Sequence, residues 1–242
     1  MSYTETPRYR RCQALFDRAY PNFRNAGQVY ADWVAEAIPA DGVVLDVGCG
    51  RMSLAADALR RARRTVGIDL VAGDLRHNQT IHLPLLADAT ALPFPARAFD
   101  TVISQWVIEH FDCPADALRE MARVLRPGGR VIALTTNANN YVPLMGRLVP
   151  DSARNLAIRR LLRRPAHESH KTYYRANTAR QLERLAAGVG LRVRRTAYVG
   201  NPFYFAFNVP LFRLALLFEH LTDSRPLRGL KLYLLADLER LP

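Results

Sequence analysis

The sequence predicts an α/β fold, a seven-stranded, mostly parallel sheet with helices on both faces and helical insertions after strands five and six. Three observations carry this. From Val43 onward short aliphatic runs alternate with helical stretches, each run ends in a polar or small residue that opens a loop, and the first such loop is rich in glycine. In a sheet of this kind ligands sit outside the carboxyl ends of the strands, so the loops there are where function is sought.

The first five strands are read at 43–47, 65–69, 82–87, 99–105 and 130–135. A helix fits 54–63 after strand one and another fits 114–125 after strand four. The second has Pro114 at its first position and Asp116 and Glu120 toward its positive end, and Arg126 with Pro127-Gly128-Gly129 stops it. Ahead of the sheet, 28–38 reads as an amphipathic helix, either packed over the ligand or acting as a simple cap. After strand five, 138–171 is irregular and Arg-rich and reads as a lid over the strand ends. A helix follows at 176–189, capped by Asn177 or Thr178, then a sixth strand at 191–199 and a seventh at 230–238. Between these last strands, 200–229 is a second insertion. Within it Pro210 opens an apolar helix with Leu211, Leu214, Ala215, Phe218 and Leu221 on one stripe and Phe212 and Leu216 opposite. An all-round apolar helix is usually a core helix, and a peripheral membrane contact through 203–221 is the other reading. The expected organisation is one domain over 1–242, with an N-terminal helical cap (1–40), a lid insertion (138–172) and the apolar insertion (200–229).

A chain of 242 residues with 49% hydrophobic content can bury one sizeable core, which argues against disorder. The net charge of +12 invites a polyanion partner. Yet only Lys171 and Lys231 of the 34 basic residues are lysine. The runs Arg60, Arg61, Arg63, Arg64 and Arg159, Arg160, Arg163, Arg164 also lack the aromatic interleaving of a base-stacking groove, so a solvated face is favoured over nucleic acid. Cys12, Cys49 and Cys113 form no CxxC pair and indicate neither a disulfide framework nor a metal site, which suits a cytoplasmic protein. The N-terminal MSYTETPRYRRC has no signal-peptide core, and 203–221 is interrupted by Asn208, Pro210 and Arg213 and falls short of a spanning helix.

The glycine loop runs Leu45-Asp46-Val47-Gly48-Cys49-Gly50-Arg51. Its glycines let backbone approach a ligand, and Asp46 can accept hydrogen bonds from a cationic group. The third glycine of a dinucleotide fingerprint is absent, with Ser53 in its place. Asp69, 19 residues past Gly50, is spaced to take two ribose hydroxyls. Strand three then ends in Leu86-Ala87-Asp88-Ala89, followed by Ala91-Leu92-Pro93-Phe94-Pro95, Phe99-Asp100-Thr101-Val102-Ile103-Ser104 and Arg123-Val124-Leu125-Arg126-Pro127-Gly128-Gly129.

This ordered set resembles the class I S-adenosylmethionine-dependent methyltransferases, particularly those acting on small molecules, lipids and glycans, with the strongest likeness over 40–136. The resemblance implies a Rossmann-like fold and S-adenosyl-L-methionine as cofactor. It implies that Asp46, Gly48 and Gly50 line the methionine side, Asp69 the ribose, and Asp88 with Ala89 the adenine, while Ser104 and Gln105 stand near the transferred methyl group. One departure is Met52, where the family often has a small residue. A bulky side chain there either reshapes the pocket entrance or packs beneath it.

Methyl transfer needs alignment of a nucleophile and, for a hydroxyl, removal of a proton, so catalytic residues are few. The candidate bases are Glu109 and His110, in Trp106-Val107-Ile108-Glu109-His110-Phe111, where a loop-shaping role is the alternative. His170, Tyr173, Tyr174, Arg175 and Asn177 form a candidate substrate wall at the return from the lid, against a reading in which the tyrosines pack and Asn177 caps the helix. The function these features imply is transfer of a methyl group to a small molecule, on an oxygen of a glycan, lipid-linked sugar or secondary metabolite. The competing readings are an RNA methyltransferase and a non-catalytic nucleoside-binding relative.

Overall fold

Strand β1 (Val43–Val47) is buried at every residue, as a strand covered on both faces requires. It pairs in parallel with β2 (Arg64–Asp69) on one side and β4 (Phe99–Gln105) on the other. The structure is a computed structural model that describes residues 6–148 and 171–242. With β3 (Leu83–Leu86), β5 (Leu125–Thr136), β6 (Leu191–Val199) and β7 (Tyr233–Arg240), the strands form one sheet in the order β3-β2-β1-β4-β5-β7-β6. The chain leaves β1 toward β2 and β3, then returns to β4 on the other side, so the order reverses between β1 and β4. A crevice opens at the carboxyl ends of strands at such a switch point.

The residues fall into two compact units. The sheet unit comprises Ala26–Thr136, Thr172–Ala197 and Leu234–Pro242. Its core on one sheet face joins Val43, Leu45, Val47, Val66, Ile68 and Val102 to Ala117, Leu118 and Met121 of α5 (Pro114–Val124). The loop segments read in the sequence fasten this unit together. Arg123 pairs with Glu120 at 2.7 Å and donates to the carbonyls of Leu92 and Phe94, while Glu120 accepts the Leu92 N–H, which ties the Leu-Pro-Phe-Pro loop to α5. Asp100 accepts the Val43 N–H at 2.8 Å and pairs with Arg126, so the segment at β4 and the turn at Pro127 meet at the start of β1. On the other face α2 (Ala26–Ala37) is held through Thr101, whose hydroxyl donates to the Ala37 carbonyl. Buried Asp237 grips Arg130 through both oxygens and also takes Arg195, whose guanidinium stacks 4.2 Å from the Trp33 ring.

Several boundaries differ from the sequence expectation. The helix expected over 54–63 is only α3 (Ala56–Leu59), because β2 already begins at Arg64 and the Arg63 N–H is taken by the Gly42 carbonyl. A short α4 (Ala72–Leu75) follows β2. The expected 176–189 helix is α7 (Ala179–Ala187), after α6 (Tyr141–Leu148) in chain order, and Thr178 caps it by accepting the Gln181 N–H. Asn177 is not the cap, since its amide is spent on β5, as described below.

The second unit takes in Met1–Asn25, Asn137–Lys171 and Tyr198–Tyr233. Here α1 (Pro7–Ala19) starts at a Thr6 cap with proline at its first position. Cys12 and Phe16 pack on Ala206 and Phe212, with Phe16 edge-on to Phe23 and Phe203. α8 (Val209–Leu221) buries Phe212, Ala215 and Glu219. That corrects the expected stripe: of its members only Ala215 faces the core, and Leu211, Leu214 and Leu221 are exposed. The reason is Glu219, which burial would penalise without a partner and which Lys231 meets at 3.2 Å. Lys231 also reaches Asp223 at 2.9 Å, Asp223 accepts the Tyr20 hydroxyl, and Glu219 accepts the Asn201 N–H. Gly200 is obligatory beside this group, since a Cβ there would lie 1.6 Å from a Glu219 oxygen. The seventh strand therefore begins at Tyr233, later than expected, because Lys231 is committed to Glu219 and Asp223.

Lys231→Met should lower unfolding free energy by about 3–5 kcal/mol in urea denaturation, because it strands a buried carboxylate. Adding Glu219→Gln should recover most of that loss; a double variant as unstable as the single one would refute the pairing as the cause.

Candidate functional site

The glycine loop leaves β1 at the switch point. Gly48 has φ +69°, and a Cβ on it would lie 2.2 Å from Val107 Cγ2, so no other residue fits. The N–H groups of Gly48 and Cys49 donate to the Ile68 carbonyl at 2.8 and 3.0 Å. Asn78, buried, donates to the carbonyls of Cys49 and Gly50, both at 3.0 Å. Asp69 closes the loop from the end of β2, accepting the N–H groups of Gly50 and Val71, each at 2.9 Å. Cys49 is buried in this loop and burial pushes its thiol up to about 12, which makes it a packing group.

Asp46 is the anomaly. Strand alternation puts it on the face of β1 that α2 covers, because it pairs with Ile103 and its neighbour pair, Val44 with Thr101, contacts α2. It is fully buried, and neither carboxylate oxygen has a hydrogen-bond partner. Burial, and then repulsion from Asp69, pushes its acid up to about 7. The Tyr30 hydroxyl of α2 is also buried without a partner, and burial and the nearby Asp46 raise it well above the usual phenol range. Ser104 pairs with Val47 and so faces the other side of the sheet, its hydroxyl likewise unpaired. Unpaired buried polar groups cost about 1–3 kcal/mol each, and more when charged, so their concentration at one strand end marks a place built for something else.

Around this centre, Gln105 spends its amide on the loop, donating to the Met52 carbonyl at 2.7 Å and accepting the Leu54 N–H at 2.9 Å. Met52 itself projects to solvent and does not pack beneath the loop. Asp88 is exposed and accepts the N–H and hydroxyl of Thr90 through one oxygen, while Ala89 is buried in the core. Leu70 and Leu86 at the ends of β2 and β3 are largely exposed, 70% and 61%. Trp106, just past β4, has φ +53°, a conformation that costs a bulky residue about 1–3 kcal/mol.

Beyond Trp106 a 3₁₀ turn carries Ile108–His110. Glu109 is buried and accepts the hydroxyls of Thr135 at 2.6 Å and Thr136 at 3.1 Å, and its carbonyl accepts the Tyr173 N–H at 2.7 Å. Its carboxylate thus holds β5 while its backbone carbonyl holds the 172–178 segment. His110, next to it, is half-buried. Asn177 donates to Thr135 Oγ1 and the Thr136 carbonyl. Arg175 pairs with Asp112 at 2.5 Å and lies over the Tyr173 ring, and Tyr173 and Tyr174 are half-buried. Glu109 and the wall at 173–177 are therefore in direct contact, with His110 next in the chain. His170 lies outside the described residues.

Residues 45–133 match the model of a family described as a methyltransferase domain. That segment carries the likeness to methyltransferases that the order of the motifs implied. Among curated relatives, a malonyl-[acyl-carrier protein] O-methyltransferase of Enterobacter lignolyticus is 32% identical over 138 residues, covering 54% of this chain and 55% of that protein. A ubiquinone biosynthesis O-methyltransferase of Paracidovorax citrulli is 37% identical over 119 residues, covering 44% and 49%. The chain thus spans about half the length of the curated relatives it matches. Among solved structures, geranyl diphosphate C-methyltransferase of Streptomyces coelicolor, at 18% identity, superposes with a TM-score of 0.57 over 98% of this chain and 87% of that one, a likeness of fold.

The site suits the methyltransferase cofactor. S-adenosylmethionine carries an amino cation that would supply what Asp46 lacks, and a carboxylate such as Asp69, with two of about four acceptor positions used, retains capacity for ribose hydroxyls. Tyr30 and Asn78 were not found by sequence reading. Asn78 follows no spacing rule, and Tyr30 was hidden in what reads as a plain amphipathic helix.

Because its acid is raised above the unfolded value, Asp46 favours the folded cofactor-free protein below pH 4 and loses that contribution as pH rises to about 7. Asp46→Asn should therefore be the more stable protein at pH 8 and gain little at pH 4 in thermal denaturation. An equal gain at both pH values would refute the ionised, unpaired carboxylate.

Proposed function

We propose that the protein transfers the methyl group of S-adenosylmethionine to an oxygen of a small acceptor, a glycan, lipid-linked sugar or secondary metabolite. The observation that carries the cofactor half is the unpaired Asp46 carboxylate beside a glycine loop clamped by Asp69 and Asn78. The acceptor half is supported by relatives whose names specify O-methylation of chemically unlike acceptors.

The bound cofactor supplies an activated methyl group on a sulfonium, so the chain has only to bind, orient, exclude water and accept a proton. Asp46 and the loop at Gly48 and Gly50 hold the methionine portion, Asp69 the ribose, and Leu70 and Leu86 give the adenine an apolar seat beside Asp88 and Ala89. Gln105 fixes the loop that frames the methyl group, with Ser104 behind it. His110 is the group we assign to take the acceptor proton, since its imidazole stands on the turn just beyond β4, next to Glu109. Glu109 is assigned as a positioning residue that holds the His110 turn and the wall of Tyr173, Tyr174 and Arg175, with Asn177 as a further strut.

Isothermal titration of the folded chain should show S-adenosylmethionine binding, lost in Asp69→Ala. Labelled cofactor incubated with cell extract should pass its methyl group to a small molecule. His110→Ala should lower kcat about 10²- to 10⁴-fold with cofactor affinity unchanged. No binding by the wild type would reject the cofactor, and full turnover by His110→Ala would reject the base.

A further inference from the structure

Beyond methyl transfer, we infer that the second unit docks on an anionic lipid surface through the outer face of α8. On that helix Phe212, Ala215 and Glu219 turn inward. At 100° per residue, Leu214, Leu217 and Leu221 project from the opposite side, and they are 63%, 54% and 53% exposed. A solvent-facing helix side normally carries polar residues, so three leucines in register there are a departure. The apolar surface continues onto α6. Tyr141 packs edge-on against Phe218 at 4.8 Å, and Leu144 and Met145, three and four residues on, are exposed.

Charge selects the occupant. The described residues of this unit's segments hold 11 basic and 3 acidic residues, a net +8. Exposed Arg213 borders the leucines, and exposed Arg225 and Arg228 follow the helix end. A second copy of the same chain would bring like charge against like, whereas an anionic bilayer offers both phosphate charge and an acyl boundary for the leucines. Leucines do not stack on bases, which disfavours RNA. At 13 residues α8 is about 20 Å long, so it lies in the interface plane. No helix among the described residues is long and apolar enough to cross a membrane.

The test is co-sedimentation of the full chain with vesicles of phosphatidylcholine alone or with about one-third phosphatidylglycerol. Binding to the anionic vesicles, at least about tenfold stronger than to neutral ones and weakened by salt, is expected. The double variant Leu214→Gln/Leu217→Gln, both side chains being exposed, should keep its melting temperature and lose about tenfold or more in vesicle affinity. Arg213→Gln/Arg225→Gln should bind several-fold more weakly with a shallower salt dependence. Failure to bind anionic vesicles, binding unchanged in the leucine variant, or a dimer that the leucine variant abolishes without any vesicle binding would each overturn the inference. Cofactor titration of the same variants reads the methyltransferase assignment separately, so either can fail without the other.

Discussion

A carboxylate buried without a partner is unstable by itself, and in the sheet unit everything around Asp46 is arranged to keep it so. Strand pairing on both sides of β1 fixes its direction, α2 seals it from water, and Asp69 approaches from β2 with a second negative charge. Relaxation is blocked because the loop beyond it is tied at five backbone groups, through Asn78, Asp69 and the Ile68 carbonyl. The free energy held there would become available to a cationic ligand, which is a way of preorganising a site before the ligand arrives.

The same economy explains why many motif residues are not at the site. Asp100, Arg123 and Arg126 look like signature residues, yet each spends its charge on backbone or on a partner that sets strand ends. Glu109 is similar: two hydroxyls from β5 and a backbone N–H from 172–178 converge on it, so it orders the turn that carries His110. A carboxylate already accepting two hydroxyls in a buried position is a brace before it is a base.

How legible this was depended on how local the cause is. β1, β4 and β6 match their expected limits, β1 as a short aliphatic run and β6 because Gly190 and Gly200 flank it. The loop at Gly48 and Gly50 and its closure by Asp69 were legible because backbone sterics impose their spacing. α1 falls within the expected N-terminal helical cap, but its limits were not placed although Thr6 and Pro7 mark its start, since its Arg-rich sequence hides the small apolar side of Cys12 and Phe16. The face of α8 was misjudged for the reverse reason. Its leucines outnumber its core residues, and only the distant Lys231 explains why an acid, Glu219, turns inward and rotates them outward. Asn78 and Tyr30 answer to partners that no sequence pattern announces.

The most direct test of the Asp46 account is calorimetric titration of S-adenosylmethionine near pH 7 in two buffers of unlike ionisation enthalpy. An acid raised to about 7 in the free protein and ionised by a cationic ligand must give up part of a proton on binding. The observed heat should then differ between buffers in the wild type, and the difference should shrink in Asp46→Asn wherever binding is still measurable. Binding with the same heat in both buffers, or proton release undiminished in Asp46→Asn, would contradict the account.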